Sequence, residues 1–207
     1  MSTKIVVARH GNTFGPGDIV TRVGGRTDLP LVAGGLEQGQ KLGLALKEKG
    51  LLPDVVFVSG LQRTQQTARM ALEAAGIAPP VEVLDLFNEI DYGPDENKPE
   101  PEVVARVGAE ALKAWDDNAV VPDGWKVDVA GIIEGWLEFG SRVRRELPEK
   151  TILVVTSNGI ARFAPHLTGD FGAFKRDHKI KIATGAYAVF EAKENGSWGC
   201  DAWNVRP

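Results

Sequence analysis

The stretch Lys4-Ile5-Val6-Val7-Ala8-Arg9-His10-Gly11-Asn12 changes abruptly from apolar to charged and polar residues. Its unbroken apolar run predicts a strand that is covered on both faces, as in a parallel sheet with helices on either side. Arg9 and His10 then stand at the carboxyl end of that strand, where open α/β sheets bind ligands. The stretch therefore predicts an α/β fold with a ligand site beside Arg9 and His10.

Helical and extended patterns alternate after this strand. Residues 36–49 have leucines four positions apart and lysines in the last turn, which predicts a helix that Gly50 ends. Residues 55–58 are all apolar and predict a second buried strand. Ser59 stands three residues before Gln62, which is the spacing of a capping box, so a second helix is predicted to begin there.

The second half of the chain continues this alternation. Further strands are predicted at residues 81–84 and 151–156, and Asn195-Gly196 between two extended patterns predicts a terminal hairpin. These patterns predict a three-layer α/β/α sandwich with a mostly parallel sheet and a carboxyl-terminal hairpin. At this length we expect a single domain over residues 1–207 that carries a helical insertion at about residues 91–150.

The insertion contains more helical pattern than a plain crossover needs. Its first helix is predicted over residues 102–115. Trp115, Trp125 and Trp136 lie in or beside its helices and could wall a substrate pocket, although large aromatic residues more often pack in a core.

Composition and charge argue against several classes of function. The net charge is -4 with both signs interspersed, so neither nucleic acid nor a membrane surface is an expected partner. No apolar run approaches the roughly 20 residues that span a bilayer, and the amino terminus shows no secretion pattern. The lone Cys200 fits a reducing cytoplasm, and the scattered His10, His166 and His178 predict no metal site and no cofactor.

A second charged motif follows the second predicted strand. In Ser59-Gly60-Leu61-Gln62-Arg63-Thr64-Gln65-Gln66-Thr67-Ala68, Arg63 falls in the first turn of a helix, where free amide groups favour an anion. This segment, together with Arg9-His10-Gly11, resembles the signature of the histidine phosphatase superfamily, the phosphoglycerate-mutase-like proteins. The resemblance implies a nucleophilic His10 whose phosphoryl group is held by Arg9 and Arg63.

Two further segments resemble this superfamily. Arg22-Val23-Gly24-Gly25-Arg26-Thr27-Asp28-Leu29-Pro30-Leu31 resembles the loop that lines its phosphate pocket, which makes Arg22 a candidate substrate contact. Leu86-Phe87-Asn88-Glu89-Ile90-Asp91-Tyr92-Gly93 resembles its acid segment. The resemblance implies that Glu89 protonates the leaving oxygen, with Asp91 as the alternative acid.

The end of the fourth predicted strand departs from the family pattern. Relatives have Ser/Thr-His-Gly there, whereas this chain has Thr156-Ser157-Asn158-Gly159. The resemblance places Asn158 and Gly159 against the phosphoryl group. Asparagine can donate a hydrogen bond but cannot carry a positive charge, which weakens one element of transition-state stabilisation. His166 and His178 are interpreted as structural. His166 follows Asn158 by about two helical turns and should not reach the same point, and His178 lies in a charged loop that could only approach the site from above.

The leading hypothesis is a phosphomonoester hydrolase that acts on a small phosphorylated metabolite through a phosphohistidine at His10. One alternative is a phosphoglycerate-mutase-type transfer, in which the phosphoryl group returns to the bound molecule. A second alternative is a weakly active or inactive phosphate-ester-binding protein, because Asn158 replaces the second histidine. The substrate and the oligomeric state stay open from the sequence.

Overall fold

The structure is a computed structural model that describes residues 2–207, and its strands form one mixed sheet of six. The strands are β1 (Lys4–Arg9), β2 (Val55–Val58), β3 (Val81–Val83), β4 (Thr151–Thr156), β5 (Tyr187–Ala192) and β6 (Trp198–Val205). Their order across the sheet is β3-β2-β4-β1-β5-β6. Strands β1 to β4 run parallel, whereas β5 is antiparallel to β1 and β6 is antiparallel to β5. The predicted mostly parallel sheet with a carboxyl-terminal hairpin is confirmed.

Helices cover both faces of this sheet. The α-helices are α1 (Ala33–Glu48), α2 (Gln62–Ala75), α3 (Glu100–Val107), α4 (Ala109–Asn118), α5 (Val129–Glu146), α6 (Asn158–Ala161) and α7 (Phe171–Asp177). On one face, Leu42 of α1 and Ala71 of α2 share an apolar cluster with Val6 of β1. On the other face, Trp136 of α5 shares a cluster with Val154 of β4. Because strand residues alternate between these clusters, the fold has the predicted three layers.

The segment between β3 and β4 is helical, but its first predicted helix is divided. The pattern predicts one helix over residues 102–115, whereas the structure has α3 and α4 with Gly108 between them. Gly108 has φ 84° and ψ 149°, a conformation that residues with a Cβ rarely adopt. Among residues 2–207, every helix is too short or too polar to cross a lipid bilayer.

The predicted capping box at Ser59 is wrong. Helix α2 begins at Gln62, and Ser59 lies too far back to cap it, its Oγ instead accepting from the Leu61 N–H at 3.2 Å. The Gln62 N–H donates to Oδ1 of Asp28 at 2.7 Å. A carboxylate from a distant loop therefore supplies the cap, which ties that loop to the amino-terminal end of α2.

The carboxyl ends of β1 and β4 lie side by side, because Arg9 pairs with Thr156 in the parallel register. The His10 N–H donates to the Thr156 carbonyl oxygen at 3.0 Å. The Gly185 N–H donates to the His10 carbonyl oxygen at 3.1 Å, so the segment before β5 also meets the end of β1. These bonds bring three distant parts of the chain to one edge of the sheet.

Candidate active site

Arg9 is the last residue of β1, and it lines a cavity at the carboxyl edge of the sheet. Its Nη1 donates to the Ile182 carbonyl oxygen at 2.9 Å, while its buried Nε has no hydrogen-bond partner within residues 2–207. Burial lowers the pKa of Arg9 and Glu89 opposes that effect, but a guanidinium remains charged at neutral pH. Arg9 therefore brings a fixed positive charge to the cavity.

His10 is buried, and one of its ring nitrogens is already engaged. Its Nδ1 lies 2.7 Å from the carbonyl oxygen of Gly11. A carbonyl oxygen only accepts, so Nδ1 must carry the proton, and Nε2 of the neutral ring keeps its lone pair. Burial, followed by the charges of Arg9 and Arg63, lowers the pKa of His10 well below its ordinary value of 6.5. The ring is therefore neutral at physiological pH, as a nucleophile requires.

Glu89 is a buried carboxylate in the wall of the same cavity. Its Oε1 accepts from the Ile90 N–H at 3.0 Å, and its Oε2 accepts from the Gly159 N–H at 3.2 Å. Burial raises the pKa of Glu89, although these amides and the charges of Arg63 and Arg9 oppose the rise. A raised pKa favours the protonated form that a general acid needs.

The alternative acid, Asp91, is engaged elsewhere. Its Oδ1 accepts from Arg26 Nε at 3.0 Å and from the Gly93 N–H at 2.7 Å. Burial raises the pKa of Asp91, but the Gly93 amide and Arg26 outweigh burial and lower it. Asp91 also lies outside the lining of the cavity that holds His10, so the geometry favours Glu89 as the acid.

Asn158 begins α6 directly after β4 and lines the cavity. Its Oδ1 accepts from the Ile182 N–H at 3.0 Å. This bond fixes which way the side-chain amide points, because the oxygen must face Ile182. The NH₂ group is then the end that can donate to a ligand, so Asn158 can supply a neutral donor to the cavity.

Gly159 lies behind Glu89 rather than on the cavity surface. Its N–H holds the Glu89 carboxylate, and a Cβ at this position would overlap Oε1 of Glu89 and lie 3.0 Å from Cγ1 of Ile90. Glycine is therefore required here for the close approach of the two segments.

Gly159→Ala should lower turnover of alkyl phosphates by about 100-fold. The added methyl group would push the Glu89 carboxyl group out of position, and small misplacements of a catalytic group cost this much. Steady-state kcat/KM on an alkyl phosphate measures the effect. Gly34→Ala is the matched control, since a Cβ on Gly34 meets nothing within 4 Å. Equal activity of the two variants would contradict this placement of Glu89.

Arg63 is fully buried in α2, and it is not among the residues that line the cavity. Its Nη1 donates to the Thr27 carbonyl oxygen at 2.8 Å and its Nη2 to the Gly24 carbonyl oxygen at 3.2 Å, while Nε has no partner within residues 2–207. Burial lowers the pKa of Arg63. Arg63 is close enough to His10 that its charge lowers the pKa of that ring. It therefore adds positive charge to the site without lining the cavity.

Arg22 lies in the outer wall of the cavity and is paired with Glu100. Its Nη2 donates to both carboxylate oxygens, at 2.7 and 2.6 Å. Its guanidinium carbon lies 5.4 Å from the centroid of the Tyr92 ring and 5.1 Å from that of the Trp125 ring. The buried Nε of Arg22 has no hydrogen-bond partner within residues 2–207.

The cavity has a volume of about 530 Å³, which suits a small molecule. Five of the seven predicted site residues line it. These are Arg9, His10, Arg22, Glu89 and Asn158. The candidate nucleophile, acid and donors, which come from distant parts of the chain, therefore line one cavity.

The insertion also supplies wall residues. Trp115, which the sequence offered as a possible wall residue, lines the cavity, whereas Trp125 and Trp136 are buried in the apolar core. Tyr92, Glu100 and Asp116 line it as well and were not assigned to the site from the sequence. Tyr92 was within reach of sequence reasoning, because it follows Glu89 by three residues. Glu100 and Asp116 carry no local pattern, since their position depends on how α3 and α4 pack.

The other histidines lie away from the cavity. His166 is half-buried and stacks on the Phe171 ring with centroids 3.9 Å apart, and burial lowers its pKa. His178 is exposed and packs on Phe174 at 4.8 Å. Neither lines the cavity, so the structure offers His10 as the nucleophile.

Comparison with known sequences identifies the group of proteins that shares this arrangement. A sequence model of the histidine phosphatase superfamily (branch 1) matches residues 5–206. A 2,3-bisphosphoglycerate-dependent phosphoglycerate mutase from Bifidobacterium longum is 34% identical over 123 residues, which are 59% of this chain and 49% of that protein. The alignment therefore spans about half the length of that curated relative.

Phosphatases are also similar to the chain. The adenosylcobalamin/alpha-ribazole phosphatase of Escherichia coli is 29% identical over 164 residues, covering 76% of this chain and 74% of that protein. The structure of a mycobacterial glucosyl-3-phosphoglycerate phosphatase superposes with a TM-score of 0.77 over 98% of both chains, at 18% identity. At that identity the structural likeness establishes the fold alone.

Proposed function

The chain belongs to the histidine phosphatase superfamily. We propose that it is an enzyme that hydrolyses a small phosphomonoester through a phosphohistidine at His10. The observation that carries the proposal is the state of His10. Its Nδ1 is bonded to the Gly11 carbonyl, so Nε2 is unprotonated in a cavity that also holds Arg9 and Glu89. The unpaired Cys200 is compatible with the cytoplasmic location that we propose.

The first step would be attack by His10 Nε2 on phosphorus. A bond forms between nitrogen and phosphorus, and the bond from phosphorus to the ester oxygen breaks. Arg9 and the NH₂ group of Asn158 would donate to the phosphoryl oxygens, and Arg63 adds positive charge from behind. The Nδ1–H bond to Gly11 stabilises the positive charge that the ring acquires.

Glu89 would serve both halves of the reaction. It gives its proton to the departing alkoxide, which leaves as a neutral alcohol. The resulting carboxylate then takes a proton from the water that attacks the phosphohistidine. Phosphate departs, His10 is regenerated and Glu89 is protonated again, so the cycle balances without a cofactor.

Phosphoglycerate mutase activity is the second candidate, because curated relatives with that name match the chain. A mutase must return the phosphoryl group to the bound intermediate before the intermediate escapes. The family resemblance implies a second histidine in the mutases at the position where this chain has Asn158. Asparagine cannot carry the positive charge of that histidine, so hydrolysis is favoured over keeping the intermediate bound and returning the phosphoryl group to it.

The test is a screen of the purified protein against phosphorylated metabolites and p-nitrophenyl phosphate, run beside a phosphoglycerate interconversion assay. We expect phosphate release from at least one metabolite, in the presence of excess EDTA, and interconversion at a much lower rate. Interconversion faster than release would make the protein a mutase. Binding of phosphate esters without phosphohistidine formation would make it a binding protein.

Asn158→Ala should reduce kcat/KM for phosphate release by about 10- to 1,000-fold, the effect of losing one preorganised donor. Asn158→Asp separates this effect from a structural one, because its Oδ1 can still accept from Ile182 while the donor is replaced by a negative charge. We expect the aspartate variant to be at least as impaired. Wild-type turnover at background, raised by Asn158→His, would instead show that asparagine marks lost catalysis.

A further inference from the structure

We infer that Glu100 makes the cavity selective for phosphomonoesters whose leaving alcohol carries no negative charge, because it neutralises Arg22. This inference rests on the proposed hydrolysis and adds the substrate class. Glu100 acts here as a specificity-determining residue, since it contacts Arg22 and the cavity rather than the reacting atoms.

The contacts of Arg22 show how firmly its charge is matched. Glu100 binds one terminal nitrogen through both carboxylate oxygens, and the rings of Tyr92 and Trp125 hold the guanidinium at about 5 Å. The Arg22 side chain is only 16% exposed, whereas that of Glu100 is 53% exposed. Glu100 thus lies at the rim, where an arriving anionic group would have to displace it from Arg22.

The charges of the cavity divide into two regions. Near His10, Arg9 and the more deeply buried Arg63 provide positive charge for the phosphoryl group. The charged side chains toward the rim are Arg22, Lys181, Glu100 and Asp116, whose formal charges sum to zero. Asp116 also lies 3.9 Å from Arg162.

A leaving group would therefore meet different surroundings from the phosphoryl group. A carboxylate or second phosphate beside Arg22 would lose water without gaining that cation, because Glu100 already holds it, and it would face two carboxylates. Lys181 is exposed in the same wall and has no carboxylate partner among residues 2–207, so the selection comes from Glu100 and Arg22. A hydroxylated or aromatic leaving group can instead contact the rings of Tyr92 and Trp115, which line the cavity. The part of the wall that Glu100 and Arg22 form thus favours neutral alcohols by rejecting anionic ones.

Glycerol 3-phosphate and 3-phosphoglycerate provide the test, since they differ only by a hydroxymethyl group in place of a carboxylate. We expect the wild type to prefer glycerol 3-phosphate in kcat/KM. Glu100→Gln keeps the size of the side chain but frees the charge of Arg22, so it should lower that preference by about tenfold, mainly through KM for 3-phosphoglycerate.

Glu102→Gln is the matched control. Glu102 lies in the same first turn of α3, is 62% exposed in a pair with Lys98, and does not line the cavity. Its variant should keep the wild-type preference. An unchanged preference in Glu100→Gln, an equal change in Glu102→Gln, or a wild type that prefers 3-phosphoglycerate would each overturn the inference.

Calorimetric binding of the same two compounds separates this inference from the proposed function. If the wild type hydrolyses no ester, the proposed function fails, but Glu100→Gln should still bind 3-phosphoglycerate about tenfold more tightly than the wild type does. If hydrolysis occurs and neither binding nor kcat/KM responds to Glu100→Gln, the inference about Glu100 fails by itself.

Discussion

Replacement of His10 by alanine should lower kcat/KM for p-nitrophenyl phosphate by about 10⁴-fold or more, because the covalent route is lost with its nucleophile. The expectation rests on the state of the ring, in which the Gly11 carbonyl holds the proton on Nδ1 and leaves Nε2 of this cavity-lining residue unprotonated. Rapid quenching into alkali, which preserves phosphohistidine, followed by peptide mass spectrometry should find one phosphoryl group, on His10. The alanine variant should carry none.

His178→Asn is the control for this experiment, because His178 is exposed and outside the cavity. It should keep wild-type kinetics and the same phosphorylated peptide. A phosphoryl group found on His166 or His178, or substantial turnover by His10→Ala, would exclude a covalent mechanism through His10.

The local sequence was sufficient for the parts of the site that strands position directly. A strand's apolar run ends where its polar residues begin, so the pattern alone predicts Arg9 and His10 at the carboxyl end of β1, and the family resemblance adds Asn158 after β4. Parallel pairing brings the ends of neighbouring strands together whatever the loops do. The structure places these side chains around one cavity for that reason.

Arg63 shows where local reasoning stops. Its position in the first turn of α2 was predicted, but the sequence carries no indication that the carbonyls of Gly24 and Thr27 would take both of its terminal nitrogens. The same loop sends Asp28 to cap α2, which made the capping box at Ser59 a wrong prediction. Contacts across more than thirty residues of sequence decide both outcomes.

Arg22 and the insertion make the same point for specificity. The family resemblance suggested a phosphate contact at Arg22, and the structure adds a carboxylate partner from α3 that changes the charge of this part of the site. The break at Gly108 separates Glu100 from Trp115, and both nonetheless line the cavity. Such a wall depends on how helices pack, which periodicity alone does not encode.

Glu89→Gln should slow the first half-reaction of alkyl phosphates by about 10² to 10⁴-fold, the usual contribution of a general acid, and should affect p-nitrophenyl phosphate far less. Nitrophenolate is a good leaving group and departs without a proton, whereas an alkoxide must be protonated as it leaves. The amide has the size of the carboxyl group and keeps one oxygen that can accept from Ile90 or Gly159. The difference between the two ester types therefore measures proton donation.

The pH dependence of the rate tests proton donation by Glu89 independently. Burial raises the pKa of Glu89 above its ordinary value of 4.5, so the protonated acid persists to higher pH than it would in water. The first half-reaction of an alkyl ester should fall as pH rises through that raised pKa. This fall should be absent with p-nitrophenyl phosphate and absent in Glu89→Gln.

The second half-reaction makes the Glu89 prediction sharper, because the same carboxylate is the expected base for the attacking water. With p-nitrophenyl phosphate, Glu89→Gln should still release a rapid burst of nitrophenolate equal to the enzyme present and then turn over slowly. Phosphohistidine should accumulate at His10 as a result.

Asp91→Asn is the control, since Asp91 is paired with Arg26 outside the cavity, and it should behave as wild type. If Glu89→Gln slowed the burst equally for both ester types and Asp91→Asn reproduced the selective loss, Asp91 would be the acid.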